Sequence, residues 1–409
     1  MKKTIYLICF SLLGLGAAIS CQKENIKTEP TPSQEPIVFG ARTPETKGIS
    51  PLNSLYDIKD QGFSVSAWYS PNETEFGDGS ETAYIENHRF GTLEAAITES
   101  TVWQGVYKVS ETEFKADPVY YPLDGSLSFF SFAPYRELSE TSDILLIPDP
   151  EETITSRLTS YLPYSPLIRF TPNAIPSSQF DFVAAEAVLN WEKGDGIVPL
   201  DFTKHITTRL QFYCDYTGSL NSEEKIIIKN IQIANVIGSE YLFFTKDAEG
   251  NLGHQWCSTI SPEDGSDSMP LVSYQLTNDP GNNREELQNV YLKAHTTDNP
   301  FTWVNNTQDG RMYVLPQVLP PKVEGDPFDR NTDPALYVTY EILNSEGTMI
   351  EQNTARYDLR GSLAWEMGKT TAYYLSIGVK ERKDLNVISV QIEDWSDSQN
   401  QHEPEEILY

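Results

Sequence analysis

An all-β fold is what this sequence predicts, and three observations predict it. Turn and aromatic residues dominate, with 26 Pro, 24 Gly, 22 Tyr and 18 Phe in 409 residues, while long Ala/Leu/Glu/Lys runs at helical spacing are scarce. Apolar residues recur at alternate positions in segment after segment, the period of a half-buried antiparallel strand. Turn signals separate those segments at spacings suited to sandwiches, in which two antiparallel sheets bury their apolar faces against each other. The length accommodates two such domains.

The N-terminus reads MKKTIYLICFSLLGLGAAISC: Lys2 and Lys3, an apolar run over 5–19, then small Ser20 before Cys21. That is an export signal over residues 1–20. Ala18, Ile19, Ser20 and Cys21 resemble a bacterial lipobox, where a signal peptidase cuts before a cysteine that carries diacylglycerol, although Ala18 stands where Leu is usual. Cys21 is therefore the expected lipid-attachment residue. Residues 21–36 are polar and contain KTEPTPSQEP, a composition expected of a disordered tether.

The first domain is expected over 37–193 and the second over 194–409, divided at the polar break KGDG at 193–196. In the first, GFSVSAWYS at 62–70 alternates Phe63, Val65, Ala67 and Tyr69 with serines, and GSLSFFSFAPY follows at 125–135. Residues 139–178 are rich in Pro, Ser and Thr and read as loops and short pieces. In the second, strands are expected at 209–216, 225–236, 335–342 and 386–395, with polar loops at 259–290. Gly368, Lys369 and Thr370 spell the end of a phosphate-binding loop, but Leu363 occupies the position that needs a glycine. The alternation of Thr371, Tyr373, Leu375, Ile377 and Val379 makes the segment a turn opening a strand.

Thirty Lys+Arg against 59 Asp+Glu give a formal charge of −29, which repels phosphate backbones and leaves no basic stripe for nucleic acid. The nucleophile elbow, the HExxH helix, paired CxxC and the EF-hand loop are all missing from the sequence. His88, His205, His254, His295 and His402 have no ligand spacing, and the acidic stretches at 247–251 and 263–268 read as polar turns. With 59 acidic residues no carboxylate pair can be singled out for glycoside hydrolysis. Neither a catalytic role nor a cofactor is expected. Cys214 and Cys257 leave two states open, buried free thiols or a disulfide. Trp68, Trp256 and Trp303 could stack on a sugar, though core or sheet-edge packing is the commoner fate of such a residue.

Several stretches together resemble the fimbrillin family of Bacteroidales, the lipoprotein pilins of major and minor fimbriae. They are GFSVSAWY, YYPLDGSLSFFSFAPY, DFVAAEA, VPLDFTKHITTRLQFYCDY, IIIKNIQIANV, YVLPQ, WEMGKTTAYYLSI and VISVQIEDW, in that order. The resemblance implies two transthyretin-like antiparallel β-sandwich domains in tandem, a surface-exposed lipoprotein in the outer membrane, no catalysis, and other fimbrillin-like subunits as partners. It also implies cleavage by a trypsin-like protease after a basic residue beyond the first strand, so that a neighbour's strand can take that strand's place. Arg42, in PIVFGARTPETKG, fits that role, with Lys47 second. In stalk pilins of the family a C-terminal extension donates the strand; here residues 396–406 contain no Val, Ile, Leu, Phe or Tyr, and Pro404 cannot join a ladder. An end or accessory subunit is the expectation, with VISVQIEDW as an alternative donor. A second reading, a non-polymerising adhesin for glycans or host proteins, rests on the polar loops.

Overall fold

The computed structural model describes residues 30–42, 55–94, 97, 100–110, 113–138, 143–150, 155–156, 158–202, 204–257, 270–296, 301–307, 310–379 and 384–394, with backbone alone at 55–57, 384–388 and 394. Strands dominate these residues, and the one α-helix, Leu55–Gln61, is two turns long. The chain is all-β, as its alternation predicts.

An N-terminal sheet runs in the order Val198–Asp201, Val38–Arg42, Val102–Ser110, Thr82–Gly91, Phe63–Ser70, Ser126–Ala133, Val183–Ala184, Lys204–His205. Its first and last strands are neighbours in sequence, so its two edges lie within roughly 10 Å along the chain. The backbone N–H of Phe202 donates to Arg42 at one edge (2.9 Å), and that of Ile206 donates to Phe182 at the other (3.1 Å). The sheet therefore rolls up on itself. Inside lie Phe39, Phe63, Phe90, Trp103, Phe129 and Phe202.

A C-terminal sheet runs Leu271–Asp279, Lys225–Ile237, Ala335–Leu343, Met349–Asp358, Asp384–Asp394, Lys369–Gly378, Thr208–Thr217. Met349–Asp358 and Asp384–Asp394 touch at a single bridge, Arg356 with Asp384, so the sheet folds there into two layers. Ile231, Ile233, Tyr274 and Tyr340 of one layer face Phe212, Tyr373 and Leu375 of the other. Gly368 turns into the Lys369–Gly378 strand with φ of 70°, and its N–H donates to Thr207 O, so the Gly-Lys-Thr letters are a turn and a strand start.

The two large sheets are stitched by a third. Ile144–Ile147 and Leu167–Phe170 pair with Glu240–Lys246 and Leu252–Cys257, joining residues from both halves of the sequence. This junction sheet covers the outer face of the N-terminal one. That is why Phe63–Ser70 is buried along its whole length, where alternation predicts exposed serines: Trp68 packs outward with Phe130 and Phe132 against Leu242 and Phe244. It also gives strands to 139–178, which composition reads as mainly loop, and Leu271–Asp279 does the same for 259–290.

Two further expectations shift. Residues 32–36, assigned to the tether, form the strand Pro32–Pro36 against Tyr120–Pro122. The expected division at 193–194 falls inside the N-terminal sheet, because the alternating Val198, Leu200 and Phe202 fill its core. Most pairings are antiparallel, but Val198–Asp201 with Val38–Arg42, Thr208–Thr217 with Lys369–Gly378, and the single bridge between Met349–Asp358 and Asp384–Asp394 run parallel.

Candidate functional site

Val38–Arg42 and the slot that holds it form the candidate site. Alternation puts Ile37, Phe39 and Ala41 inward, where all three are buried, and leaves Val38 and Gly40 half-buried on the other face. Phe39 is the anchor: its ring meets Phe90 at 4.7 Å, Phe129 at 5.2 Å and Phe63 at 6.0 Å, each edge-to-face.

Backbone pairing clamps the strand on both sides. Val38, Phe39 and Gly40 lie opposite Gln104, Trp103 and Val102 on one flank, and residues 39–42 lie opposite Val198–Asp201 on the other. Upstream the ladder continues, with Ile37 N–H donating to Val119 O (2.7 Å) and Leu123 N–H to Thr31 O (2.9 Å). Arg42 ends the strand with its side chain exposed and its carbonyl accepting from Phe202 N–H. Residues 43–54, which include Lys47, lie outside the described residues, as does Cys21. The interactions available here are hydrogen bonding and apolar burial. Arg42 is legible in the sequence as an exposed basic residue, whereas the seat of its strand leaves only the alternation in IVPLDF as a trace.

At the other end of the chain, Asp384–Asp394 pairs with Lys369–Gly378 from Asp384↔Gly378 to Asp394↔Lys369, and Val390 packs on the C-terminal core. Residues 387–394 of VISVQIEDW therefore sit in their own sheet. Residues 395–409 lie outside the described part.

The other candidates go to structural roles. Trp68 and Trp256 are buried, the latter donating Nε1–H to Ile206 O (2.6 Å). Trp303 stacks face-on against Tyr213, which stacks on Tyr374, so these ring faces are spent on one another. Cys214 and Cys257 are buried and not bridged to each other; burial pushes the Cys214 thiol well above its ordinary range.

The histidines scatter. His205 Nδ1 meets the Asp181 carboxylate at 2.9 Å in a buried pair, and His295 Nδ1 pairs with Asp215. His254 Nε2 lies 2.8 Å from Ala185 O, and burial pushes its pKa down to about 4. His88 lies beside Asp117, and His402 is outside the described residues. Among the described residues no group of three or more His, Cys, Asp or Glu is placed to hold a metal.

The sequence model of the Fimbrillin-like family matches residues 90–395. A crystal structure of a fimbrial protein from Bacteroides vulgatus ATCC 8482 is similar to this chain with a TM-score of 0.53 at 15% identity, covering 88% of this chain and 99% of that one. A fimbrilin from Porphyromonas gingivalis W83 gives a TM-score of 0.36 at 9% identity, over 88% of this chain and 98% of that one. No curated protein matches. With about three quarters of its residues inside the family match, and the fold of a fimbrial protein along most of its length, this chain belongs to the fimbrillin-like family.

Proposed function

We propose that this chain is a surface lipoprotein subunit of a fimbrium, structural or accessory, that joins its neighbours by β-strand addition. A lipid on Cys21 brings the precursor to the outer membrane. Cleavage after Arg42 then separates the Val38–Arg42 strand from the domain it completes, and a neighbour's strand takes its slot. The observation that carries this reading is the strand itself: an anchor ring buried among three others, ladder pairing on both flanks, and an exposed arginine at its end. Filling such a slot satisfies the ladder and buries alternate side chains in apolar pockets, which is how strand addition combines affinity with register.

The polar composition of residues 396–406 supports an end or accessory position over a repeating stalk position. N-terminal sequencing of the surface-exposed protein tests the cleavage, with a chain beginning at Thr43 expected. Surface protein that begins only at Cys21 overturns it. Replacing Cys21→Ala tests the anchor separately: the variant loses palmitate labelling and leaves the membrane fraction, and retention of both defeats the lipid assignment.

A further inference from the structure

Thr82–Gly91 and Val102–Ser110 pair only at Phe90↔Gly105 and Gly91↔Gln104. Beyond Gly105 the second strand turns away to form a hairpin with Glu113–Ala116. A cleft of about 580 Å³ opens between them, with Glu86, His88, Arg89, Tyr107, Tyr135 and Glu137 among its walls.

Arg89 is the unusual group in it. Its guanidinium carbon lies 3.8 Å from the Tyr135 ring centroid and 6.0 Å from that of Phe114, so aromatic rings fix it in place. Its Nε is buried and has no hydrogen-bond partner among the described residues, and the nearby Glu137 carboxylate acts on its charge without forming an ion pair on the fork. Aromatic faces stabilise the charge but accept none of the five N–H bonds a guanidinium offers in the plane of its fork.

The same chain holds a completed version of this arrangement. Arg360 also lies by an aromatic ring, Phe328 at 5.4 Å, and its fork is filled by Asp358 at 2.8 Å, Asp333 at 2.9 Å and Asp326 at 3.4 Å. Arg89 has the rings without a carboxylate seated on its fork. The geometry therefore asks for an acceptor from outside.

We propose that this cleft binds an extended peptide segment, seating a single carboxylate of it on Arg89. Three features select that ligand. The edge of Thr82–Gly91 that lines the cleft is laddered only at its last two residues, so a peptide lying along it gains backbone bonds. Exposed Tyr107 and Val109 on the opposite wall offer apolar contact to its side chains. Glu86, Asp117 and Glu137 line the cleft beside Lys108 and disfavour a phosphate dianion or a run of acidic residues, while a single carboxylate answers the open guanidinium fork.

The test is an array of short extended peptides in which Asp and Glu are exchanged against Asn and Gln, probed with the full mature chain. Binding that requires a carboxylate, weakens with salt and falls about tenfold to a hundredfold in Arg89→Gln is expected. If Arg89→Gln shifts the thermal midpoint, Arg89→Lys carries the test, because it keeps the charge and stem and loses the fork; a drop in affinity at unchanged midpoint is then expected. Peptide binding indifferent to carboxylates, equal affinity in both Arg89 variants and the parent, or glucuronate binding as tightly as the best peptide would each overturn the proposal.

Discussion

Glu240 is expected to lower the stability of this protein as pH rises. It opens the Glu240–Lys246 strand opposite Phe170 at the junction sheet, is fully buried, and neither carboxyl oxygen has a hydrogen-bond partner among the described residues. Tyr274, whose hydroxyl also lacks a partner, is its titratable neighbour; burial first, and the Glu240 charge second, push that phenol upward. Burial pushes Glu240 from 4.5 up to about 8. Because the folded state holds this proton more tightly than the unfolded chain, the stabilisation is complete below the unfolded value and is lost as pH climbs through the folded one. At about 1.4 kcal/mol per unit, the loss is about 2 kcal/mol by pH 6 and about 5 kcal/mol by pH 9, a decline of about 3 kcal/mol between them. Urea unfolding of the parent and of Glu240→Gln at both pH values measures it. The parent loses stability over that range and the variant stays flat by comparison; parallel pH profiles would refute the reasoning.

Three other outcomes are expected. Phe39→Ala removes the ring that meets Phe63, Phe90 and Phe129, and lowers unfolding free energy by about 3–5 kcal/mol in urea melts. Asn305 accepts from Phe212 N–H and Trp303 Nε1–H and donates to Leu210 O and Gly310 O, so Asn305→Ala strands buried polar groups at several points and costs at least about 3 kcal/mol by the same assay. Cys214 and Cys257 run identically with and without reductant, and Ellman's reagent reaches them only after unfolding.

Where the chain alternates, the sequence is easy to read. Phe63–Ser70, Ser126–Ala133, Thr208–Thr217, Lys225–Ile237, Ala335–Leu343 and Lys369–Gly378 stand where their period places them, because a period of two states which side chains share a face. It does not state what lies against that face. Ser64, Ser66 and Ser70 look solvent-facing by pattern, and are buried on the face that strands far downstream in the sequence cover. The polar break at 193–196 is legible only as a turn for a related reason: the distant pairing of Val198–Asp201 with Val38–Arg42, which no local pattern announces, keeps the next strand in the first sheet. Arg42 was legible as a basic residue in a Pro/Thr-rich stretch. Arg89 was not, since its rings come from Phe114 and Tyr135, and no local pattern around ENHRFG announces a cleft.

On the reading proposed above, the depth of the slot dictates how strand exchange proceeds. Burying Ile37 and Phe39 is worth about 1.5–3 kcal/mol each, before the ladder bonds on both flanks are counted. A cut after Arg42 breaks the covalent link and leaves every one of those contacts in place, including Phe202 N–H on the Arg42 carbonyl. Cleavage alone therefore does not empty the slot. An empty slot would also leave Val198–Asp201 without the strand it is laddered to, and would expose Trp103, Phe90 and Phe129 to water together. The incoming strand has to pair as the outgoing one frays, residue by residue, so that no intermediate bares the whole groove. Fraying is easiest at the Arg42 end, where the chain has just been cut, while Pro32–Pro36 still holds the far end against Tyr120–Pro122. A subunit built this way can be processed and remain folded until a neighbour arrives, which separates the timing of proteolysis from the timing of assembly.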